Sequence, residues 1–386
     1  MSDFQELLTR GVEEVIDREH LESVLASGKK LRVKLGIDPT SPNIHIGRAV
    51  VLWKLRAFQD LGHKVVFIVG DFTGLVGDTS DKDAERPMLT ETEVKANMKT
   101  YFDQAFKILD PKQTETHYNS EWLNKLGFLE ISRMADRFGL HEFSSRELIK
   151  KRLDTGKRVS LRELMYPLMQ GYDSVAVKAD VELGGTDQRF NLLAGRTIQP
   201  VYGQDPQDIL ITKLLEGTDH RKMSSSWGNV INITDEPNDM FGKVMSIGDD
   251  VMVRYFERAT RVPLQEIDEI KKELEAGSNP LGMKKRLARE IVTLYHGDKA
   301  AQKAQDEFEK VFSEGKNPEE IRGAENKENI IQTIVASGVV TSNSEAKRLI
   351  DQKAVKVNDQ VVDDWGYKLK KGDVVKIGPR KFIKIE

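Results

Sequence analysis

Leu31-Arg32-Val33-Lys34-Leu35-Gly36-Ile37-Asp38-Pro39-Thr40-Ser41-Pro42-Asn43-Ile44-His45-Ile46-Gly47-Arg48 is the stretch on which the fold turns. Residues 31–37 read as a strand. Asp38 to Asn43, rich in proline and in side chains that cap helices, reads as a turn, and a helix should begin near Ile44. The free N–H groups and dipole at such a helix start favour an anion. His45 on the first turn can donate to phosphate, and Gly47 lets a flat ring approach the backbone.

The same alternation continues downstream. Strands are expected at Lys64–Val69, Thr114–Tyr118, Ala179–Leu183 and Asp208–Thr212. Helices are expected at 48–61, 92–109, 128–138, 161–173 and 188–199. Strands alternating with helices imply a parallel sheet with right-handed crossovers, whose ligands bind beyond the C-terminal strand ends. After Pro237 the pattern turns helical (239–245, 249–259, 264–276, 280–296 and 299–312). Ser313 to Lys327 reads as a linker. A small module of two helices, 330–336 and 344–351, and three strands, 354–357, 374–377 and 382–385, closes the chain. The expected fold class is α/β: a Rossmann-like parallel-sheet catalytic domain (1–234), an α-helical domain (235–312), a linker (313–328) and a small α+β module (329–386).

Composition sets bounds. The 386 residues exceed one ordinary core. The absence of cysteine excludes disulfides and thiolate–metal sites. No secretory leader or membrane-length apolar run is visible, so a cytoplasmic protein with no membrane partner is expected. Residues 329–386 carry 11 Lys and Arg against 7 Asp and Glu, while the remainder is net −7. A basic module on an acidic body suggests a polyanionic partner.

A second signature, Lys222-Met223-Ser224-Ser225-Ser226, lies on a polar loop that could close over polyphosphate. His45-Ile46-Gly47-Arg48 resembles the HIGH motif of class I aminoacyl-tRNA synthetases, and residues 222–226 resemble their KMSKS motif. The segments at 70–78, 166–173 and 184–191 resemble tyrosyl-tRNA synthetases, with a bacterial subgroup closest. The tail, through Ser344–Ile350, Val355–Asn358 and Ile377–Phe382, resembles the RNA-binding module of small-subunit ribosomal protein four.

The resemblance implies a tyrosine–tRNA ligase that is a homodimer. It joins L-tyrosine to ATP, brought with Mg²⁺ and with no tightly bound cofactor or metal set, and then transfers tyrosine to tRNA(Tyr). Catalytic roles fall to His45, Arg48 and Lys222. The ATP site is implied at Asp38, Thr40, His45, Gly47, Gly185, Asp187, Gln188, Lys222 and Ser225. The tyrosine site is implied at Lys34, Asp78, Asn119, Tyr166, Gln170, Asp173 and Gln188. Lys34 stands where many relatives have Tyr, and could instead pair with Asp173 or another acid. The helical domain would recognise the anticodon, and Lys347, Arg348, Arg380 and Lys381 would contact tRNA.

Arg48 replaces the last His of the first motif, and Ser225 replaces a Lys of the second. These two departures are the support for a different reading, a synthetase-like RNA-binding protein with degraded catalysis. A third reading, activation of tryptophan, is disfavoured by Asp173, because an indole has no phenolic hydroxyl.

Overall fold

The computed structural model describes residues 3–78, 88–313, 321–340, 342–378 and 381–386. They fall into two compact units, Met1–Asp235 with Ser246–Tyr295, and Glu236–Met245 with His296–Glu386.

The first unit is built on a six-stranded sheet: β1 (Val12–Ile16), β2 (Arg32–Ile37), β3 (Lys64–Val69), β4 (Thr114–Tyr118), β5 (Val181–Gly185) and β6 (Asp208–Thr212). The strand order is β1-β6-β5-β2-β3-β4. Five strands are parallel, as expected from the alternation. The sixth, β1, was not foreseen and lies antiparallel on β6. Successive strands run outward from β2 in one direction and from β5 in the other. The order therefore reverses between β2 and β5, which is where an open α/β sheet receives its ligand.

The strands are apolar because both faces are covered. Val65 to Val69 are fully buried. Val66 and Ile68 pack with Val177 and Ala179, whereas the Phe67 ring meets Phe102. The Ile46–Asp60 helix opens with His45 as its cap, Nδ1 accepting from the Arg48 N–H. The Leu161–Val177 helix opens on a capping box of Ser160 and Glu163. Glu163 also forms a buried ion pair with Arg152.

Several expectations shift. The strand expected at 179–183 is β5, two residues later. The helix expected over 92–109 is two helices, Glu91–Met98 and Tyr101–Ala105, because the chain leaves helical geometry at Thr100.

In the second unit, the Pro237–Met245 and Asp298–Ser313 helices pack through Phe241 and Phe308. The helices Ile330–Ala336 and Asn343–Asp351 cover a five-stranded sheet of β7 (Arg322–Ala324), β8 (Val355–Val357), β9 (Gln360–Val361), β10 (Val374–Ile377) and β11 (Lys381–Ile385). Ile330, Ile334, Ile350, Val355, Val375 and Ile383 form its core. β7 lies inside the segment read as linker, yet it pairs in parallel with β11. β9 was not foreseen.

Candidate active site

A cavity of about 860 Å³ opens at the C-terminal ends of β2 and β5. It gathers every tyrosine- and ATP-site residue expected from the sequence except Lys34: Asp38, Thr40, His45, Gly47, Arg48, Asp78, Asn119, Tyr166, Gln170, Asp173, Gly185, Asp187, Gln188, Lys222 and Ser225. The two signatures thus share one space. Lys34 does not line it. That side chain is fully buried, and its partner is Glu182 rather than Asp173, with Nζ 2.9 Å from Oε1.

One face of the Leu161–Val177 helix supplies Tyr166, Gln170 and Asp173. Asp173 is 3% exposed. Its Oδ1 accepts from Trp122 Nε1 at 2.7 Å and its Oδ2 from Asn119 Nδ2 at 3.3 Å. Burial pushes its carboxyl up to about 7, against the opposing pull of the Lys34 charge and these two donors. Trp122 and Thr73 escaped the sequence reading; only the adjacency of Trp122 to Asn119 hinted at the first.

Tyr166 donates to Asp38 Oδ2 at 2.8 Å, and Thr73 donates to Asp38 Oδ1 at 2.7 Å. Burial raises the Asp38 carboxyl to about 6, although both hydroxyls pull it down. Gly70 makes this packing feasible, because a Cβ there would stand 2.1 Å from Asp38 Oδ1. Gln188 Nε2 donates to Asp78 Oδ2 at 2.7 Å, so the amino-acid and nucleotide sets are joined by hydrogen bonds.

At the other end of the cavity, burial pushes His45 down to about 3, and the Arg48 and Lys222 charges push the same way. The imidazole is therefore neutral at physiological pH. Its Nδ1 accepts from the helix backbone, which leaves the proton on Nε2 as a donor. Arg48 donates to Thr40 Oγ1 at 2.8 Å and to Tyr101 Oη at 3.0 Å. A Cβ at Gly47 would crowd the turn, lying 3.1 Å from His45 Nδ1 and 3.3 Å from Met223 Cβ, so those side chains would have to shift by a few tenths of an ångström. Lys222 Nζ sits 2.8 Å from Asp187 Oδ2, and Ser225 Oγ sits 3.2 Å from Ser41 Oγ. The second signature is thus docked on the first turn. Arg221 lies over Trp227, 4.7 Å from the ring centre, and Trp227 lines the cavity.

In the tail, Lys347 Nζ lies 4.7 Å over the Trp365 ring, Arg348 is exposed, and Lys381 Nζ donates to the Val339 carbonyl at 2.6 Å. Arg380 lies outside the described residues.

A sheet with this order, carrying a helix-start histidine and a lysine loop over one cavity, defines a class I synthetase fold. The family described as tRNA synthetases class I (W and Y) matches residues 26–313, and the S4 domain matches residues 331–375. A protein of Carboxydothermus hydrogenoformans named Tyrosine--tRNA ligase is 47% identical, covering 98% of this chain and 97% of that one. Another so named, from Dehalococcoides mccartyi, is 45% identical over 99% and 98%. The solved mitochondrial tyrosyl-tRNA synthetase of Aspergillus nidulans, C-terminally truncated, shares the fold with a TM-score of 0.68 at 23% identity, over 81% of this chain and 94% of that one. The chain belongs to the tyrosine–tRNA ligase family of class I synthetases.

Proposed function

We propose that the protein is a tyrosine–tRNA ligase that works in two steps at this cavity. The observation that carries the reading is Asp173. A carboxylate buried at the cavity floor, already holding Trp122 and Asn119, gains a further donor from a phenolic hydroxyl, whereas a benzyl side chain would bury its remaining acceptor sites without one. Acceptors on Tyr166, Gln170 and Asp78 take the α-ammonium group, with Asn119 supporting Asp173 from beside it. Asp187 accepts from the ribose hydroxyls, and Gly47 and Gly185 admit the flat faces of the nucleotide. Asp38, Thr40 and Gln188 complete that wall.

The tyrosine carboxylate attacks the α-phosphorus of ATP in line. A new P–O bond forms as the bond to pyrophosphate breaks. The nucleophile is already an anion, so no general base is required, and catalysis comes from positioning and charge stabilisation. Neutral His45 donates from Nε2 to phosphate. Arg48 adds a permanent charge, and Lys222 leaves Asp187 to follow the pyrophosphate, with Ser225 on the same loop. Mg²⁺ would accompany ATP as part of the substrate and screen its triphosphate charge. A terminal ribose hydroxyl of tRNA then attacks the tyrosyl carbonyl, and AMP departs.

The helical domain and the tail module serve the tRNA, with Lys347, Arg348, Arg380 and Lys381 at its phosphates. The protein acts in the cytoplasm as a homodimer. Phe128, Leu129, Leu140 and Leu161 support that assembly, being 86, 67, 70 and 78% exposed at the starts of three helices. Incubation with ATP, Mg²⁺, tyrosine and tRNA(Tyr) should yield tyrosyl-tRNA; uncharged tRNA after complete turnover conditions would overturn the proposal.

A further inference from the structure

Lys34 and Glu182 face each other on β2 and β5 at the last paired rung between these strands. Beyond that rung β2 and β5 run on unpaired with each other, and their ends line the cavity. Both side chains are buried, 0% and 1% exposed. An apolar pair of similar volume would serve stability as well or better.

Glu182 receives four donors. Lys34 Nζ at 2.9 Å and Gln170 Nε2 at 3.1 Å reach Oε1. Ser174 Oγ at 3.0 Å and Gln207 Nε2 reach Oε2. An ionised carboxylate only accepts, so each amide beside it must turn its NH₂ inward. Gln207 does so even though its Oε1 is left buried without a hydrogen-bond partner. Gln170 obeys the same constraint, but it lines the cavity, and its Oε1 is the end left for a ligand. Lys34 also donates to the Gln170 carbonyl and to Ser174 Oγ, both at 2.9 Å. It thereby fixes the helix turn that presents Gln170 and Asp173.

We propose that Glu182, held by Lys34, is a positioning residue for the amino acid: it orients the Gln170 amide so that an acceptor meets the substrate's α-ammonium group. The inference rests on the tyrosine-binding reading above. An ammonium offers only donors, so a reversed Gln170 amide would set donor against donor.

Two inhibitors separate this role from general packing. Tyramine keeps the phenol and the ammonium; 3-(4-hydroxyphenyl)propionate keeps the phenol and the carboxylate but has no ammonium. Inhibition constants against tyrosine are compared for the wild type, the Lys34→Met/Glu182→Met double variant and Glu182→Asp. The double variant leaves no buried charge unpaired. The Asp variant keeps a counter-charge for Lys34 while drawing the carboxylate back from Gln170. The tyramine constant should rise about tenfold in each, the loss of one charge-assisted hydrogen bond, while the propionate constant and the KM for ATP stay within twofold. A folded variant whose tyramine constant is unchanged, or whose two inhibitors weaken alike, overturns the positioning role. If the double variant fails to give a cooperative thermal melt, Glu182→Asp decides. Wild-type protein that ignores tyramine overturns the tyrosine reading itself, and this inference with it.

Discussion

In the proposed function, burial makes Asp173 the residue that selects the phenol. Trp122 and Asn119 both donate to it, and its carboxyl titrates near 7 because water is excluded. Only the ionised form presents its full acceptor capacity to a phenol. Tyrosine affinity should therefore strengthen as pH rises through about 7, and Asp173→Asn should flatten the dependence while weakening binding at pH 8. Calorimetric titration between pH 6 and 8 checks this; an unchanged midpoint in the variant would contradict it. The polar face at 166, 170 and 173 was legible from helical spacing together with family resemblance. The partner of Lys34 was not. Pairing with an acid was open in the sequence, but Glu182, the acid that takes it, arrives 148 residues later on a neighbouring strand. No local pattern reports that adjacency.

The proposed mechanism has the loop bearing Lys222 move with the departing pyrophosphate. Its contacts with Asp187 and Ser41 are a hydrogen-bonded ion pair and a hydroxyl pair, and Asp187 is the acceptor proposed for the ribose. Nucleotide entry would therefore compete for Asp187 and free Lys222 for the phosphates. Lys222→Ala should slow adenylate formation by roughly 10²–10³-fold, the scale of losing one transition-state donor, with tyrosine affinity within twofold. Single-turnover kinetics measure it; an unaltered rate removes Lys222 from the chemistry. Elements with strong pattern were readable in place, as at Thr114–Tyr118 and Asp208–Thr212. β1 was missed because Val-Glu-Glu-Val-Ile sets two acids in the middle of a half-exposed edge strand, where neither alternation nor an apolar run appears. The break near Thr100 was missed because Thr92 to Leu109 contains neither Gly nor Pro.

At the scale of the whole chain, the cavity that holds both signatures lies within the first unit, and the S4-like module lies within the second. A chain ending at residue 312 should therefore form tyrosyl-adenylate at a rate near that of the full protein and charge tRNA poorly, with KM for tRNA raised about tenfold or more as phosphate contacts are lost. Undiminished charging would deny the tail its role. The order of motifs along the sequence announced the α/β class and the two signatures that line the cavity, whereas the meeting of β2 and β5 required the folded sheet. The account depends most on ATP and a phenolic amino acid sharing the space between the His45 turn and the Lys222 loop, above Asp173. Amino-acid-dependent exchange of labelled pyrophosphate into ATP tests this directly, with tyrosine, phenylalanine and tryptophan compared. Tyrosine should drive exchange, and phenylalanine should fall about 10⁴-fold or more below it in kcat/KM, a magnitude taken from enzymes of this same family rather than from this chain's geometry. No exchange with tyrosine, or exchange driven equally well by tryptophan or phenylalanine, would contradict the account.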